Sequence, residues 1–336
     1  MKKHHLAAFL CTLPLLCGCA QPSAVRELFA MDTYMQLTAS GNAAETALDA
    51  AQQRILALES LLAVTDEKSE TWAINHADGV PVELSADTAR LLQTAQEIGA
   101  QTDGALDISL YPVLSAWGFT MDTQNVPDAQ TLAQARALVD YRRIVLHENT
   151  VTLPEGMQVD FGALAKGYAG DCAVEILREY GISSALLNLG GNVQAIGSKP
   201  DGSPWNIAVQ NPAAPSSPLC SLAVTDAAVI TSGNYERYFI AEDGTKYGHI
   251  LDPATGAPVD NELASVTIVG TSGVRCDALS TALFVLGLED AANFWRNSGD
   301  FEMLLVTQDD TLYYTQGLSE ALTLPDGRTA EVITRD

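Results

Sequence analysis

Helix-like and strand-like segments follow one another in this chain without the regular strand–helix–strand alternation that builds a doubly wound parallel sheet. Glu27–Ser40 alternates as a strand. Ala43–Ala63 then places Leu48, Ala51, Ile55, Leu58 and Leu62 at helical spacing, with polar residues opposite. Further helices are predicted over Ala86–Ala100, capped by Ser85, over Asp128–Val139 behind Pro127, and over Lys166–Tyr180, stopped by Gly181. Arg143–His147 and Val151–Leu153 read as a hairpin turning at Glu148 and Asn149. The second half is richer in strands: Ala185–Leu189, Trp205–Val209, Leu219–Val224, Tyr238–Ile240, Leu263–Gly270, Met303–Thr307 and Thr311–Tyr314. Helices are expected near Cys276–Leu286 and Leu288–Asn297, and the Pro/Ser-rich stretch Pro200–Pro218 reads as an exposed loop. The pattern predicts an α+β fold of mixed sheets with packed helices.

The first residues set the compartment. Lys2, Lys3, His4 and His5 precede an apolar run from Leu6 to Leu16, too short for a stable span and of the length of a secretory signal. Leu16-Cys17-Gly18-Cys19 has the residue order of a bacterial lipobox, so Cys19 is expected to carry lipid as the mature N-terminus. This gives a signal peptide over 1–18, a lipidated cysteine and tether over 19–26, and one functional domain over 27–336. No low-complexity linker or internal repeat divides that domain. The expected location is the cytoplasmic membrane, on the periplasmic or outer side, held by the lipid.

Cys172, Cys220 and Cys276 then remain, widely spaced and odd in number, without the spacing of a zinc site or disulfide framework. Buried free thiols are expected. The formal charge of −24 becomes more negative once Lys2 and Lys3 are removed. So acidic a chain is a poor partner for nucleic acid, whose binding rests on Lys and Arg.

No phosphate loop, GxGxxG turn, HExxH pair or GxSxG elbow occurs. Other segments could cradle an anionic ligand. Asp277-Ala278-Leu279-Ser280-Thr281 would place a carboxylate and a hydroxyl four residues apart on one face of a helix start, a hard-oxygen pair suited to Mg²⁺ or to ordinary capping. Thr102-Asp103-Gly104-Ala105-Leu106-Asp107 follows a helix as a helix-to-strand corner. Asp160-Phe161-Gly162-Ala163-Leu164-Ala165-Lys166-Gly167 brings small residues and a lysine to a helix start, where a lysine opposes the helix dipole. Gly190-Gly191-Asn192 ends a strand as a tight turn or an anion nest. Thr231-Ser232-Gly233 follows another strand. His249 stands before a rigid Asp252-Pro253 turn, and its near-neutral pKa suits a general base.

Taken in order, with Met31-Asp32-Thr33 ahead of them, these segments resemble the ApbE family of FAD:protein FMN transferases across almost the whole mature chain. The resemblance implies a T-fold-like α+β protein that binds FAD with Mg²⁺. Its activity would be to move the FMN half onto a Thr or Ser of an extracytoplasmic acceptor protein, releasing AMP. By position it implies metal ligands at the Ala163 carbonyl, Asp277 and Thr281. It implies FAD contacts at Met31, Thr65, Ala105, Leu106, Asp107, Asp160, Lys166, Gly248 and Val274, with His249 activating the acceptor hydroxyl. Asp32 stands where the family usually has glycine, and Thr65 where some relatives have an aromatic residue. Two other activities use the same segments: Mg²⁺-dependent hydrolysis of FAD to FMN and AMP, and FAD capture by a non-catalytic lipoprotein.

Overall fold

In the computed structural model, which describes residues 22–120 and 124–336, the alternating stretch at 27–40 belongs to two strands rather than one. β1 (Ser23–Ala30) and β2 (Thr33–Ser40) pair antiparallel about Met31 and Asp32, whose φ angles are +50° and +58°. Two successive positive φ values are those of a type I′ hairpin turn, and Met-Asp carries none of the Asn-Gly or Asp-Gly signal that announces one. Ser23–Arg26, within the 19–26 segment expected as lipidated cysteine and tether, lie in β1. The signal and Cys19 lie outside the described residues.

α1 (Ala44–Leu62) buries Leu48, Ala51, Ile55, Leu58 and Leu62, as their spacing predicts. α2 (Glu70–Asn75), β3 (Val82–Glu83) and α3 (Ala86–Gln101) follow, with the Ser85 hydroxyl accepting from Thr88 N–H at the start of α3. The corner at 101–107 leads into a 3₁₀ turn (Ile108–Leu110) and α4 (Tyr111–Ala116), not into a strand. α5 (Ala129–Arg136) is shorter than its predicted span because Asp128 serves as the cap and the N–H groups of Leu138 and Val139 turn three residues back, to Ala135 and Arg136. β4 (Val145–His147) and β5 (Thr150–Thr152) form the expected hairpin, and α6 (Ala165–Glu179) the expected helix.

Then come β6 (Ser184–Leu189), β7 (Asn192–Ile196), β8 (Trp205–Gln210), β9 (Pro218–Val224) and β10 (Ala228–Gly233). After them lie β11 (Tyr238–Ile240), β12 (Lys246–Gly248), β13 (Leu263–Gly270), α7 (Gly273–Leu286) and α8 (Leu288–Asn297). β14 (Phe301–Thr307), β15 (Leu312–Thr315), β16 (Leu322–Thr323) and β17 (Glu331–Ile333) close the chain. One local reading changes, and two that stood open are settled. Gly190 and Gly191, at φ +62° and +95°, form a tight turn between two strands, not a nest. Thr231–Gly233 lie within β10 and not after it, and β8, the strand expected at Trp205–Val209, interrupts the 200–218 loop.

Nine strands form the main sheet in the order β1-β2-β6-β7-β10-β13-β14-β15-β17, antiparallel except for the β15–β17 pair. α1, α6 and α7 pack together with the main sheet in the larger core. A small sheet of β16, β9 and β8 contributes Ile207, Val209 and Leu222 to a second core with Val229, Leu304 and Val306. A third cluster of Trp117, Phe119, Phe239 and Leu251 joins α4 to the β11–β12 hairpin. Strands and helices thus mix as an α+β fold. Among the described residues no helix is long and apolar enough to cross a membrane, and Cys172, Cys220 and Cys276 are buried free thiols.

Candidate active site

The site is organised by the crossing of α6 and α7. A β-carbon on Gly167 would lie 2.3 Å from the Gly273 carbonyl oxygen and 2.7 Å from Asp277 Cβ, so only glycine permits this approach. Asp171 on α6 accepts from the N–H groups of Gly273 and Val274 at 2.6 and 2.9 Å, capping α7. The crossing puts Gly167 N–H 2.8 Å from Asp277 Oδ2, across 110 positions of sequence. Asp277 lies in the second turn of α7 and not at its start, because the helix begins at Gly273.

Gly167 is the third residue of α6, so its N–H is one of the donors at a helix start that no carbonyl of the helix accepts. Asp277 satisfies it. The Ala163 carbonyl, ahead of the cap residue Leu164, accepts no backbone hydrogen bond among the described residues. Thr281 Oγ1 sits 3.2 Å from Ser232 Oγ, which also meets Ser280 Oγ at 2.8 Å. A free carbonyl, a carboxylate and a hydroxyl therefore border one cavity, together with Lys166. Such hard oxygens fit a small divalent cation that completes its shell with water and substrate phosphate. No trio of His, Cys, Asp or Glu among the described residues offers a fuller cage. Burial pushes the Asp277 carboxyl above the usual range, opposed by the Lys166 charge and by Gly167 N–H. A cation there would offset that cost of burial.

His249 lines the same cavity. Its N–H and its ring Nδ1 both meet the Arg237 carbonyl, at 3.1 and 3.0 Å. A carbonyl only accepts, so Nδ1 carries the proton and Nε2 presents its lone pair. Burial pushes the His249 pKa down to about 4, with the Arg237 and Lys166 charges adding to the shift and the Arg237 carbonyl resisting it. The ring is therefore neutral at pH 7.

The cavity these groups share is about 510 Å³, within the range of small-molecule sites. Met31, Thr65, Ala105, Leu106, Asp107, Asp160, Ala163, Lys166, His249, Asp277 and Thr281 all line it. Gly248 and Val274 do not. Gly248 packs against Asn234 inside the β11–β12 hairpin, and Val274 N–H is held by Asp171. Asp107 lines the cavity, with both carboxylate oxygens accepting hydrogen bonds, from Ser109 and from Tyr141 N–H. Asp160 Oδ1 accepts from Gly162 N–H at 2.7 Å, and burial raises its pKa against that bond and the Lys166 and Arg237 charges.

Met31 holds an uncommon positive φ, with its N–H donated to Glu59 Oε1 at 2.6 Å. Asp32 follows with positive φ, which Asp tolerates better than most residues, so the hairpin keeps its turn without a glycine. Sequence reasoning misses Ser232 and Arg237 as parts of the site. Ser232 belongs to Thr231-Ser232-Gly233, whereas nothing near Arg237 in the sequence announces its carbonyl as the support of His249.

Residues 31–305 match the ApbE family. An FAD:protein FMN transferase of Klebsiella pneumoniae (strain 342) is 37% identical over 262 residues, covering 76% of this chain and 81% of that protein. The crystal structure of the ApbE protein of Thermotoga maritima superposes with a TM-score of 0.84 at 30% identity, over 89% of this chain and 99% of that one. The apo flavinyl transferase ApbE of Pseudomonas stutzeri gives a TM-score of 0.81 at 28% identity, over 90% and 97%.

Proposed function

The chain belongs to the ApbE family, and on that premise we propose that it is an FAD:protein FMN transferase in which His249 activates the acceptor hydroxyl beside a divalent-cation site. The observation that carries the reading is the pairing of His249 Nδ1 with the Arg237 carbonyl, which leaves Nε2 as a base in the cavity that Asp277 and Thr281 line. The acceptor O–H gives its proton to Nε2 as its oxygen bonds to the phosphorus of the FMN half. The bridging P–O bond breaks, and AMP leaves as a phosphate monoester. Neutral His249 can take that proton, whereas an imidazolium could not.

Ala163 oxygen, Asp277 and Thr281 would hold Mg²⁺. The ion, when bound, neutralises charge on the pyrophosphate. Gly167 N–H orients Asp277, and Ser232 orients Thr281. Lys166 adds a positive charge to the same cavity. The remaining lining residues, from Met31 to Leu106, form the wall for the dinucleotide.

The test is one incubation with FAD, Mg²⁺ and a secreted protein bearing an Asp-Gly-x-Thr-Gly-Ala-Thr segment. Flavin fluorescence on that protein after denaturing electrophoresis is the expected result. Free FMN and AMP would identify a hydrolase instead, and intact FAD a binding protein.

The location is part of the same proposal. Cys19 carries lipid and tethers the fold, through the few residues before β1, to the outer face of the cytoplasmic membrane. Cys19→Ala is expected to move the protein from the membrane to the soluble fraction with its transferase rate kept. A variant that still pellets with membranes rules the anchor out.

A further inference from the structure

Resting on that transferase reading, we infer that the open edge of β11 is the docking strand for the protein acceptor, whose hydroxyl-bearing segment adds to it as an extended strand. β11 and β12 form a sheet of two strands, with Tyr238 opposite Gly248, Phe239 opposite Tyr247 and Ile240 opposite Lys246. The His249 N–H donates to the Arg237 carbonyl at one end of this ladder, and Ala241 N–H donates to the Thr245 carbonyl at 2.9 Å at the other. Bonded pairs alternate along an antiparallel ladder. Residues 237, 239 and 241 therefore turn their backbone towards β12, and Tyr238 and Ile240 turn theirs outwards. Among the described residues no backbone group meets them there.

The side chains agree with an edge held firm beneath and open above. Phe239 packs down on the rings of Trp117, Phe119 and Tyr247, with centroids 6.3, 5.5 and 5.4 Å away. On the other face Tyr238 and Ile240 are 42% and 65% exposed, and the Lys246 ammonium lies 3.8 Å from the Tyr238 ring centre. Sheet edges are usually blunted by shortness, charge, proline or a bulge. The Tyr-Phe-Ile of β11 is short, but it carries no charge and no proline.

The reaction fixes the occupant. A protein acceptor has to bring a hydroxyl to Nε2 of His249, and His249 is the ladder partner of Arg237, the residue that leads into β11. A strand added to that edge would lie about 4.8 Å from β11, with alternate side chains on the Phe239 face, which is also the face of Arg237 and His249. Backbone pairing of this kind gives affinity with little demand on sequence, and the hydroxyl supplies the chemistry. Water or a small alcohol needs no such edge.

Ile240→Pro tests the assignment, because it deletes an outward N–H without touching a bond of the hairpin. Single-turnover transfer is measured against the concentration of the secreted acceptor bearing the Asp-Gly-x-Thr-Gly-Ala-Thr segment. Ile240→Thr, which keeps the N–H, is the comparison. The expected result is a rise of tenfold or more in the half-saturating acceptor concentration for Ile240→Pro, with less than threefold for Ile240→Thr and unchanged FAD binding and maximal rate. Wild-type saturation by a proline variant with an unchanged melting temperature overturns the proposal, as do equal losses in the two variants. Where proline lowers the melting temperature, a benzophenone side chain at position 240 replaces it. Crosslinks within a few residues of the acceptor threonine support docking there, and their absence on a flavinylated acceptor refutes it. A wild type that attaches no flavin overturns the transferase reading itself, and the docking strand falls with it.

Discussion

His249→Ala is expected to lower FMN transfer by about 10²–10⁴-fold, the usual worth of a positioned general base, while FAD binding changes little. The two effects separate because the ring is held by the Arg237 carbonyl at 3.0 Å, and in the proposed reaction its Nε2 serves the incoming hydroxyl and not the bound dinucleotide. Stopped-flow transfer and FAD titration on the same preparation measure both. Full activity in the variant would remove His249 from the reaction. The pH profile carries the sign. A base whose pKa is depressed to about 4 stays neutral, and so competent, above that value. The acid limb of kcat/KM, which reports the free enzyme, is then expected well below the value near 6.5 of an ordinary histidine. A limb centred at 6.5 would contradict the neutral, Nδ1-protonated ring.

Asp277→Asn is expected to abolish stimulation by Mg²⁺ and to reduce transfer by roughly 10²–10³-fold, since a divalent ion supplies several kcal/mol of charge stabilisation in phosphoryl chemistry. Asparagine keeps an oxygen for Gly167 N–H, so the α6–α7 crossing survives and the loss is one of charge. Calorimetry is expected to show no Mg²⁺ binding in the variant and an unchanged melting temperature. Retained binding would place the ion elsewhere. A joint loss of melting temperature and activity would instead mean that Asp277 chiefly holds the two helices together.

The helices were readable because each one carries its own evidence. The spacing of Leu48, Ala51, Ile55 and Leu58 marks a buried stripe, and Ser85 is a cap wherever the rest of the chain goes. The β1–β2 hairpin was not readable, since its positive-φ turn is made by Met31 and Asp32, residues without intrinsic preference for it strong enough to stand out. Gly248 and Val274 lie in segments that reach the site, yet their own atoms face Asn234 and Asp171. A motif places a stretch of chain near a ligand but does not aim each residue within it.

By itself, then, the sequence determined the α+β class, most helices and the set of segments that carry hydroxyls, carboxylates, Lys166 and His249, because these depend on local period and residue chemistry. Only the tertiary structure decided which of those groups meet. Gly167 N–H reaches Asp277 because two helices cross at glycines, and the His249 ring meets the Arg237 carbonyl because β11 and β12 pair. Both are long-range packing events, set by what the assembled core allows and not by the preference of any one segment.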